Sequence, residues 1–505
     1  MDTGITFPIT VNIRLMKALK TFLLISVIAW LLTPAPGGSL TRQGDVIVNL
    51  SKFDAKGKPN HGIYSINTKS GNISPLISLK NQNLVSIRMS PDARYILGTS
   101  FDRKKFTRDL NLLDLNRGKS YKLTFSPSAG VTRSGKPIGT FEKYGFSPDG
   151  RWAVITFPDG IELKPVLNSS PLICQVMQPN ESSIILIDIR RWLERQKADA
   201  IMKIPGDDFP SFSPSGKKFL VPGKMLKSGR KILLYEIEKD DDTAIPAFRT
   251  WQLPFNNASQ GAFASEKKLF LLDGDDLITY DISSKKIELK QSLSNYYLAS
   301  MGCAPPHTPC TPDFSEGPIS FGGQYFAFLM PSGYSVIERT PEPDTEISIP
   351  NLFRQNLMLV YGDTESPWFQ RMEIPPLPDK AYGQNFLYHK LFILPERNGK
   401  QAVLFTSGWN YSAFRIIDLA NREISEPIEG FFMGMNSNGT GLIYTQCGPS
   451  NDCYKSNDFN WNTSGGGGKE VYVTMNLLKY RDLKTDLDYI LFDQPSYTSE
   501  AFFVK

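Results

Sequence analysis

The sequence has few of the residues that build metal centres. Its 505 residues include only three histidines, and His61, His307 and His389 are widely separated. We therefore expect no metal site and no cofactor. The acidic run "DGDD" at 273–276 has no glutamate at the distal position of a calcium loop, and it predicts a β-turn.

Two catalytic motifs are also absent from the sequence. There is no G-x-x-x-x-G-K-[S/T] run, which excludes a phosphate-binding P-loop, and the glycines at 465–468 precede a strand rather than a helix. There is no G-x-S-x-G run either, so the chain lacks the nucleophile elbow of an α/β-hydrolase. We assign no catalytic residue from the sequence.

The chain lacks an apolar run of the roughly 20 residues that a membrane span needs. A shorter run from Thr21 to Leu32 follows Lys17 and Lys20, and small residues and prolines come after it. This order is typical of an export signal, here over residues 1–38, with Met16 as an alternative start. Retention of the segment as an N-terminal anchor stays open. We expect a periplasmic or cell-surface protein.

Charge of one sign is not in large excess. The formal net charge of +5 falls to about +3 without residues 1–38, which is too little for a general nucleic-acid binder. Of the five cysteines, four form two closely spaced pairs, Cys303 with Cys310 and Cys447 with Cys453. Export would favour a disulfide in each pair, with free thiols as the alternative and the fifth cysteine as a buried thiol.

The chain does contain a repeated turn followed by a strand. In "GFSPDGRWAVITF", Pro148 presets the backbone of a tight turn, Gly150 tolerates a positive φ, and an alternating apolar segment follows. Further copies of different strength begin at Ser90, Ser213, Ser265, Ser320, Glu396 and Asn436.

A second element follows each turn and strand: a strand that ends in an acidic or polar turn. Its eight copies begin at Gly62, Leu110, Ile184, Ile232, Leu277, Leu357, Phe414 and Val471. Short strands at regular intervals predict an all-β fold, a single β-propeller over residues 44–505. We expect eight blades, or seven if one strand pair is miscounted. The ring would be closed by the C-terminal strand, 499–505, beside the strands that begin at Gly44.

The segments "FSPDGRWAVI" and "IILIDIRR" resemble the repeat of the TolB-like (WD40-like, PD40) propellers. The same repeat is found in the propeller of prolyl-oligopeptidase-type peptidases. The resemblance implies the fold, and TolB itself implies a periplasmic role in protein interaction.

Long loops between the second and third strands of the blades, among them 101–109 and 222–230, would lie on the face opposite the repeated turns, where we expect recognition. A basic rim there would attract an acidic partner, and exposed aromatic rings would anchor it. Solvated loop charges and packing between blades are the alternatives. The candidate binding residues are Arg103, Lys104, Lys105, Arg108, Lys224, Lys227, Arg230, Trp409, Tyr411 and Trp461.

These features lead to one main functional prediction and two alternatives. We expect an exported, monomeric, non-catalytic propeller that serves as a binding scaffold for an envelope protein or an anionic glycan. The first alternative is a propeller enzyme, a hydrolase or lyase, that acts on a polysaccharide or peptide. The second is a signal-anchored component of an envelope membrane complex.

Overall fold

The computed structural model describes the strands of the repeat region and most of the short turns between them. The described residues are 45–53, 59–80, 84–102, 107–123, 143–157, 162–164, 173–175, 182–195, 200–206, 208–226, 229–239, 247–255, 258–274, 276–292, 319–337, 352–364, 369–378, 387–394, 400–408, 412–436, 439–447, 476–492 and 496–503. The export signal predicted over residues 1–38 lies outside them. Among the described residues, no helix is long and apolar enough to cross a membrane.

Eight antiparallel sheets follow one another along the chain, each built from four main strands. Blade 1 contains β1 (Asp45–Phe53), β2 (Pro59–Asn67) and β3 (Ile73–Lys80), and blade 2 contains β4 (Leu84–Met89), β5 (Tyr95–Asp102), β6 (Thr107–Asp114) and β7 (Lys119–Leu123). Blade 3 contains β8 (Tyr144–Phe146), β9 (Trp152–Phe157), β12 (Ser183–Asp188) and β13 (Ile201–Pro205), and β10 (Glu162–Lys164) and β11 (Ile173–Gln175) form a separate hairpin. Blade 4 contains β14 (Ser211–Phe212), β15 (Lys218–Leu226), β16 (Gly229–Lys239) and β17 (Ala247–Gln252).

Blades 5 to 8 repeat this strand order. Blade 5 contains β18 (Ala258–Phe263), β19 (Lys268–Asp273), β20 (Asp276–Asp281) and β21 (Lys286–Ser292), and blade 6 contains β22 (Ile319–Gly322), β23 (Tyr325–Ile337), β24 (Leu352–Asp363) and β25 (Gln370–Glu373). Blade 7 contains β26 (Leu387–Ile393), β27 (Gln401–Gly408), β28 (Ser412–Asp418) and β29 (Glu423–Ile424), and β30 (Ile428–Glu429) also pairs with β28. Blade 8 contains β31 (Phe431–Met435), β32 (Gly441–Cys447), β33 (Asn476–Asp482) and β34 (Leu487–Phe492).

The last strand of the chain, β35 (Ser496–Phe503), closes the ring. It pairs antiparallel with β1, with Val46 opposite Phe503, and so completes the four strands of blade 1. The prediction of eight blades closed by the C-terminal strand is confirmed, and the seven-bladed alternative is wrong. Closure leaves no blade with an unpaired face at the ends of the repeat.

The core is divided among the junctions between blades. Eight clusters of buried apolar side chains each combine residues from two adjacent blades, including blades 8 and 1. Successive strand residues point to opposite sheet faces, so Ile96 packs towards blade 1 while Leu97 packs towards blade 3. Each blade therefore depends on both of its neighbours for burial.

The repeated Ser-Pro-Asp turn joins the first strand of a blade to the second, as predicted. In blade 3 the Ser147 hydroxyl donates to Asp149 at 2.5 Å and accepts from the Trp152 amide at 2.9 Å. Gly150 adopts the positive φ of 72° that the sequence predicts, whereas the equivalent residue of blade 2 is Ala93 at 54°. The serine thus closes the turn from inside, and it is itself buried.

The acidic residue that ends the third strand caps the next turn. Asp114 Oδ1 accepts from the amides of Asn116 and Arg117, both at 3.1 Å. Asp418 does the same for Ala420 and Asn421, both at 2.9 Å. These residues recur because a short side-chain acceptor satisfies amides that the turn leaves unpaired.

Two local expectations need correction. The strand predicted in "IILIDIRRW" ends at Asp188, and helix α1 (Ile189–Arg195) follows, since Asp188 Oδ1 accepts from the Arg191 amide at 3.2 Å and caps its first turn. The segments expected as long loops at 101–109 and 222–230 are largely continuations of β5, β6, β15 and β16. Asp273 pairs with Asp276 where β19 and β20 meet, as a turn predicted over 273–276 requires.

Candidate functional site

The residues predicted for binding fall mostly outside the described part of the chain. Arg108 lies in β6 opposite Phe101, Arg230 lies in β16 opposite Met225, and Lys224 lies in β15. Their side chains are outside the described residues, as are Arg103, Lys104, Lys105, Lys227, Trp409, Tyr411 and Trp461. The basic and aromatic rim therefore stays a prediction.

The cysteine side chains of the two predicted disulfides also lie outside the described part of the chain. Cys447 ends β32 without a described side chain, and Cys303, Cys310 and Cys453 lie outside the described residues. Both pairings stay predictions.

A cavity of about 180 Å³ opens between blades 2 and 3, on the face of the ring that carries the repeated turns. Turns and α1 supply its lining: Arg94, Tyr95, Arg117, Gly150, Arg151, Ile189, Arg190, Leu193 and Glu194. We call this cavity the arginine pocket. Its floor is the apolar cluster between the two blades, to which Tyr95 and Ile189 belong.

On the blade 3 side, the pocket arginines are tied to carboxylates. Arg151 Nε donates to Asp188 Oδ2 at 2.9 Å, and its guanidinium lies 4.9 Å from the centre of the Trp152 ring. Arg191 Nε lies 3.7 Å from the same Asp188 oxygen. On the exposed side of α1, Arg190 Nε donates to Glu194 Oε1 at 3.3 Å. Asp188 thus holds the second strand and the helix together.

On the blade 2 side, contacts of the same kind are looser. Asp114 is fully buried, and its Oδ2 lies 3.8 Å from Arg94 Nη2 and 3.7 Å from Arg117 Nε. Both distances exceed a hydrogen bond. Neither Asp114 Oδ2 nor Arg94 Nε has a hydrogen-bond partner among the described residues. The two guanidinium groups flank this carboxylate without bonding to it.

Neighbouring rings fix the blade 2 side in place. The Arg94 guanidinium lies 4.9 Å from the centre of the Tyr95 ring, and burial raises the pKa of Tyr95, so the phenol stays neutral. A hydrogen bond with Tyr121, followed by the charge of Asp114, raises the pKa of Arg117. Tyr121 in turn meets the Trp192 ring of α1 edge-on at 5.8 Å. The pocket wall is thus anchored across the junction.

Arginine at this point of the repeat is particular to blades 2 and 3. In seven blades, the carbonyl of the residue just before the second strand accepts a hydrogen bond from an amide at or near the end of the third strand. The residues that supply this carbonyl are Arg94, Arg151, Lys217, Lys267, Gln324, Lys400 and Thr440. This recurring backbone hydrogen bond does not depend on the side chain at the position. The side chain is therefore open to selection for another purpose, and the two arginines face one cavity.

A second polar group lies inside the ring, between blades 6 and 7. His389 Nδ1 and Thr406 Oγ1 are 3.0 Å apart, and burial lowers the pKa of His389 to about 4. Arg415 is 2% exposed and donates to the carbonyls of Pro375 at 2.6 Å and Pro376 at 2.8 Å. These contacts pair the His389 ring and both terminal nitrogens of Arg415 with partners inside the protein, so we assign them to packing.

Metal ligands are not gathered anywhere in the described part of the chain: it contains no group of three or more His, Cys, Asp or Glu side chains placed to hold an ion. His61 and His389 lie in blades 1 and 7, and His307 lies outside the described residues.

Comparison with known proteins shows the fold and no closer relationship. No protein-family model matches the chain, and no curated protein does. Solved structures match as β-propellers. A prolyl endopeptidase is 10% identical with a TM-score of 0.44, over 87% of this chain and 55% of its own. The propeller domain of the Trilobed protease from Pyrococcus furiosus is 14% identical with a TM-score of 0.36, over 90% and 93% of the chains.

An oligogalacturonate lyase solved with manganese is 8% identical with a TM-score of 0.39, over 81% of this chain and 95% of its own. By contrast, the chain spans about half the length of the prolyl endopeptidase that it matches. Likenesses of this strength show the fold alone.

The expectation of a non-catalytic scaffold is corrected by these comparisons. Several of the solved propellers that match are enzymes by name: endopeptidases that act at proline, a puromycin-hydrolysing peptidase and the lyase. The inference from the sequence took the absence of a nucleophile motif as an argument against catalysis. That absence excludes one hydrolase fold and leaves other enzymes possible.

The arginine pocket was missed because the sequence analysis sought recognition on the opposite face. A signal was present: an arginine directly follows the turns "SPDA" and "SPDG", and two more occur in "IDIRRW". Reading the turn position across all copies would have separated the two arginines from the lysines, glutamine and threonine elsewhere.

Proposed function

We propose that this protein is a propeller enzyme that acts on an acidic polymer, and that the arginine pocket binds an acidic group of the substrate. The observation that carries the proposal is the convergence of Arg94, Arg117, Arg151 and Arg190 on one cavity. Guanidinium groups bind carboxylates and phosphates through paired hydrogen bonds, which makes such a cavity selective for anions. Binding energy at a remote subsite can position a polymer for reaction elsewhere on the enzyme.

The pocket supplies recognition in this proposal. Its one lining carboxylate, Glu194, is paired with Arg190, and the phenol of Tyr95 is held neutral by burial. Peptides and polysaccharides are the two polymer classes considered, with hydrolysis or elimination as the reaction.

The test is turnover of defined acidic polymers by the full-length protein. Acidic peptides and oligogalacturonides are incubated separately with it, and products are identified by mass spectrometry. We expect cleavage of one class, with kcat/KM reduced about tenfold or more by Arg94→Met and unchanged by Lys217→Met, which removes the same charge at the equivalent position of blade 4. Failure to cleave either class would overturn the proposal.

We also propose membership of the TolB-like propellers and export to the periplasm or cell surface. The Ser-Pro-Asp turns and the acidic ends of the third strands support the first, and the apolar run after Lys17 and Lys20 supports the second. Sequencing the N-terminus of the protein recovered from its native envelope separates a cleaved signal from an anchor.

A further inference from the structure

We infer that the ligand-binding part of the arginine pocket is its blade 2 side, formed by Arg94 and Arg117 over the buried Asp114, and that it binds a carboxylate of an acidic peptide. This inference rests on the proposed function and deepens it by naming the contact residues and the substrate class.

Exposure and geometry separate the two sides of the pocket. The side chains of Arg94 and Arg117 are 40% and 50% exposed, against 18% for Arg151. Arg190 is more exposed, at 70%, but it is paired with Glu194. The Arg151 guanidinium uses one donor on Asp188 at 2.9 Å, whereas the guanidinium groups of Arg94 and Arg117 stay beyond hydrogen-bond distance of Asp114. The blade 2 arginines therefore present more donors to a ligand.

Charge on the blade 2 side favours an anion. Asp114 is one carboxylate shared by two guanidinium groups, and its Oδ1 is already occupied by two amides of the turn. Two further carboxylates are already engaged: Asp92 accepts from the Ser90 hydroxyl at 2.6 Å and from the Arg94 amide at 3.2 Å, and Glu194 is paired with Arg190. A ligand carboxylate would complete the charge balance and accept hydrogen bonds that Asp114 does not accept.

The chemistry around the two arginines favours a peptide over a sugar acid. A sugar ring is held by stacking on an aromatic face, but the guanidinium of Arg94 already covers the face of Tyr95, as that of Arg151 covers Trp152. Ile189 and Leu193 offer aliphatic contact instead. A cavity of about 180 Å³ is sized for a small acidic group with its aliphatic stem, which an Asp or Glu side chain or a chain terminus provides.

The experiment measures binding without turnover. Calorimetry is performed with a capped peptide that contains Glu, the same peptide with Gln, a Gln peptide with a free C-terminal carboxylate, and trigalacturonate. We expect the Glu or the free-terminus peptide to bind, the capped Gln peptide to bind about tenfold more weakly or not at all, and trigalacturonate not to bind. Comparison of the capped Glu peptide with the free-terminus Gln peptide shows whether the carboxylate is a side chain or a terminus.

Variants locate the contact. Arg94→Met and Arg117→Met should each weaken peptide binding about tenfold, while Lys217→Met leaves it unchanged. Asp114→Asn should tighten binding several-fold, because it removes the carboxylate that competes for both guanidinium groups. A residue that is merely structural would weaken binding when replaced. Circular dichroism melting of each variant confirms that it is folded before binding is compared.

Several results would overturn the inference: wild-type affinity in Arg94→Met and Arg117→Met, equal weakening in Lys217→Met, or binding of trigalacturonate and no peptide. Binding that depends on Arg94 without any peptide cleavage leaves this inference standing and refutes the proposed enzyme. Cleavage of a substrate at the same rate after Arg94 and Arg117 are replaced refutes this inference and leaves the enzymatic activity standing.

Discussion

The junction between blades 2 and 3 and the junction between blades 6 and 7 both contain arginine, but the two use it differently. Arg415, between blades 6 and 7, is 2% exposed and donates to two backbone carbonyls. Arg94, between blades 2 and 3, has a side chain that is 40% exposed, and its nearest carboxylate oxygen is 3.8 Å away. One junction is closed around its charge and the other opens as a cavity.

The difference shows what the propeller fold demands and what it leaves open. Each junction needs an apolar cluster, and both have one. A buried guanidinium must have acceptors within the protein, so Arg415 is part of the packing. An arginine at the edge of the cluster can keep donors for a ligand. The following predictions test this distinction, from the largest expected effect to the smallest.

Arg415→Ala should lower the free energy of unfolding by about 3 kcal/mol, because it removes two charge-assisted hydrogen bonds and leaves a void between blades 6 and 7. Thermal or urea unfolding measures the loss. Lys400→Ala, an exposed residue of the same blade, should change stability by less than about 0.5 kcal/mol. Equal effects of the two replacements would show that Arg415 is not part of the packing.

Acid should destabilise the protein through His389. Its pKa is about 4 in the folded protein and 6.5 when unperturbed, so the unfolded chain binds more protons between these values. Its contribution to the unfolding free energy is therefore lost as pH falls from 6.5 towards 4, by up to ~3 kcal/mol. Urea unfolding across this range measures it. His389→Gln should flatten this part of the profile, and an unchanged slope would contradict the assignment.

Arg151→Met should cost about 2 kcal/mol, because it removes the hydrogen bond to Asp188 Oδ2 and leaves that buried oxygen the 3.7 Å contact to Arg191 Nε. The matched replacement Arg94→Met should cost less than about 1 kcal/mol, since that side chain is more exposed and its ion pair is long. Parallel unfolding curves compare the two. A larger loss for Arg94→Met would reverse the roles given to the two sides of the pocket.

Salt should have the smallest effect. Raising the ionic strength from about 0.05 to 0.5 M should weaken peptide binding at Arg94 and Arg117 several-fold, while the midpoint of thermal unfolding changes little, because the buried pairs are screened less than exposed ones. Calorimetry and melting curves at both ionic strengths measure this. Parallel changes in affinity and stability would show that the pocket charges hold the fold together.

The fold followed from the sequence because the repeat is encoded locally. The Ser-Pro-Asp turn at 147–149 and the aspartate that ends β12 each make hydrogen bonds within a few residues. The motif can therefore be recognised in the sequence of a single blade, and its copies can be counted along the chain. Helix α1 was missed because its cap, Asp188, is the same residue type that ends strands in the other blades.

The site did not follow, because it depends on contact between blades. Arg94 and Arg190 are about 100 residues apart in the chain and belong to different blades. Neither residue is unusual within its own repeat. Only the packing of blade 2 against blade 3 places both on one cavity, and only the distances to Asp114 and Asp188 distinguish an available arginine from a bound one.

The closure of the ring by β35 also sets the timing of folding. Phe503 pairs with Val46, so two partner strands are synthesised about 450 residues apart. At translation rates of roughly 5–20 residues per second, the first blade waits about 20 to 90 seconds for its fourth strand. During that time β1 has an open edge, which can pair with another nascent chain. Production of this protein therefore depends on protecting that edge until synthesis is complete.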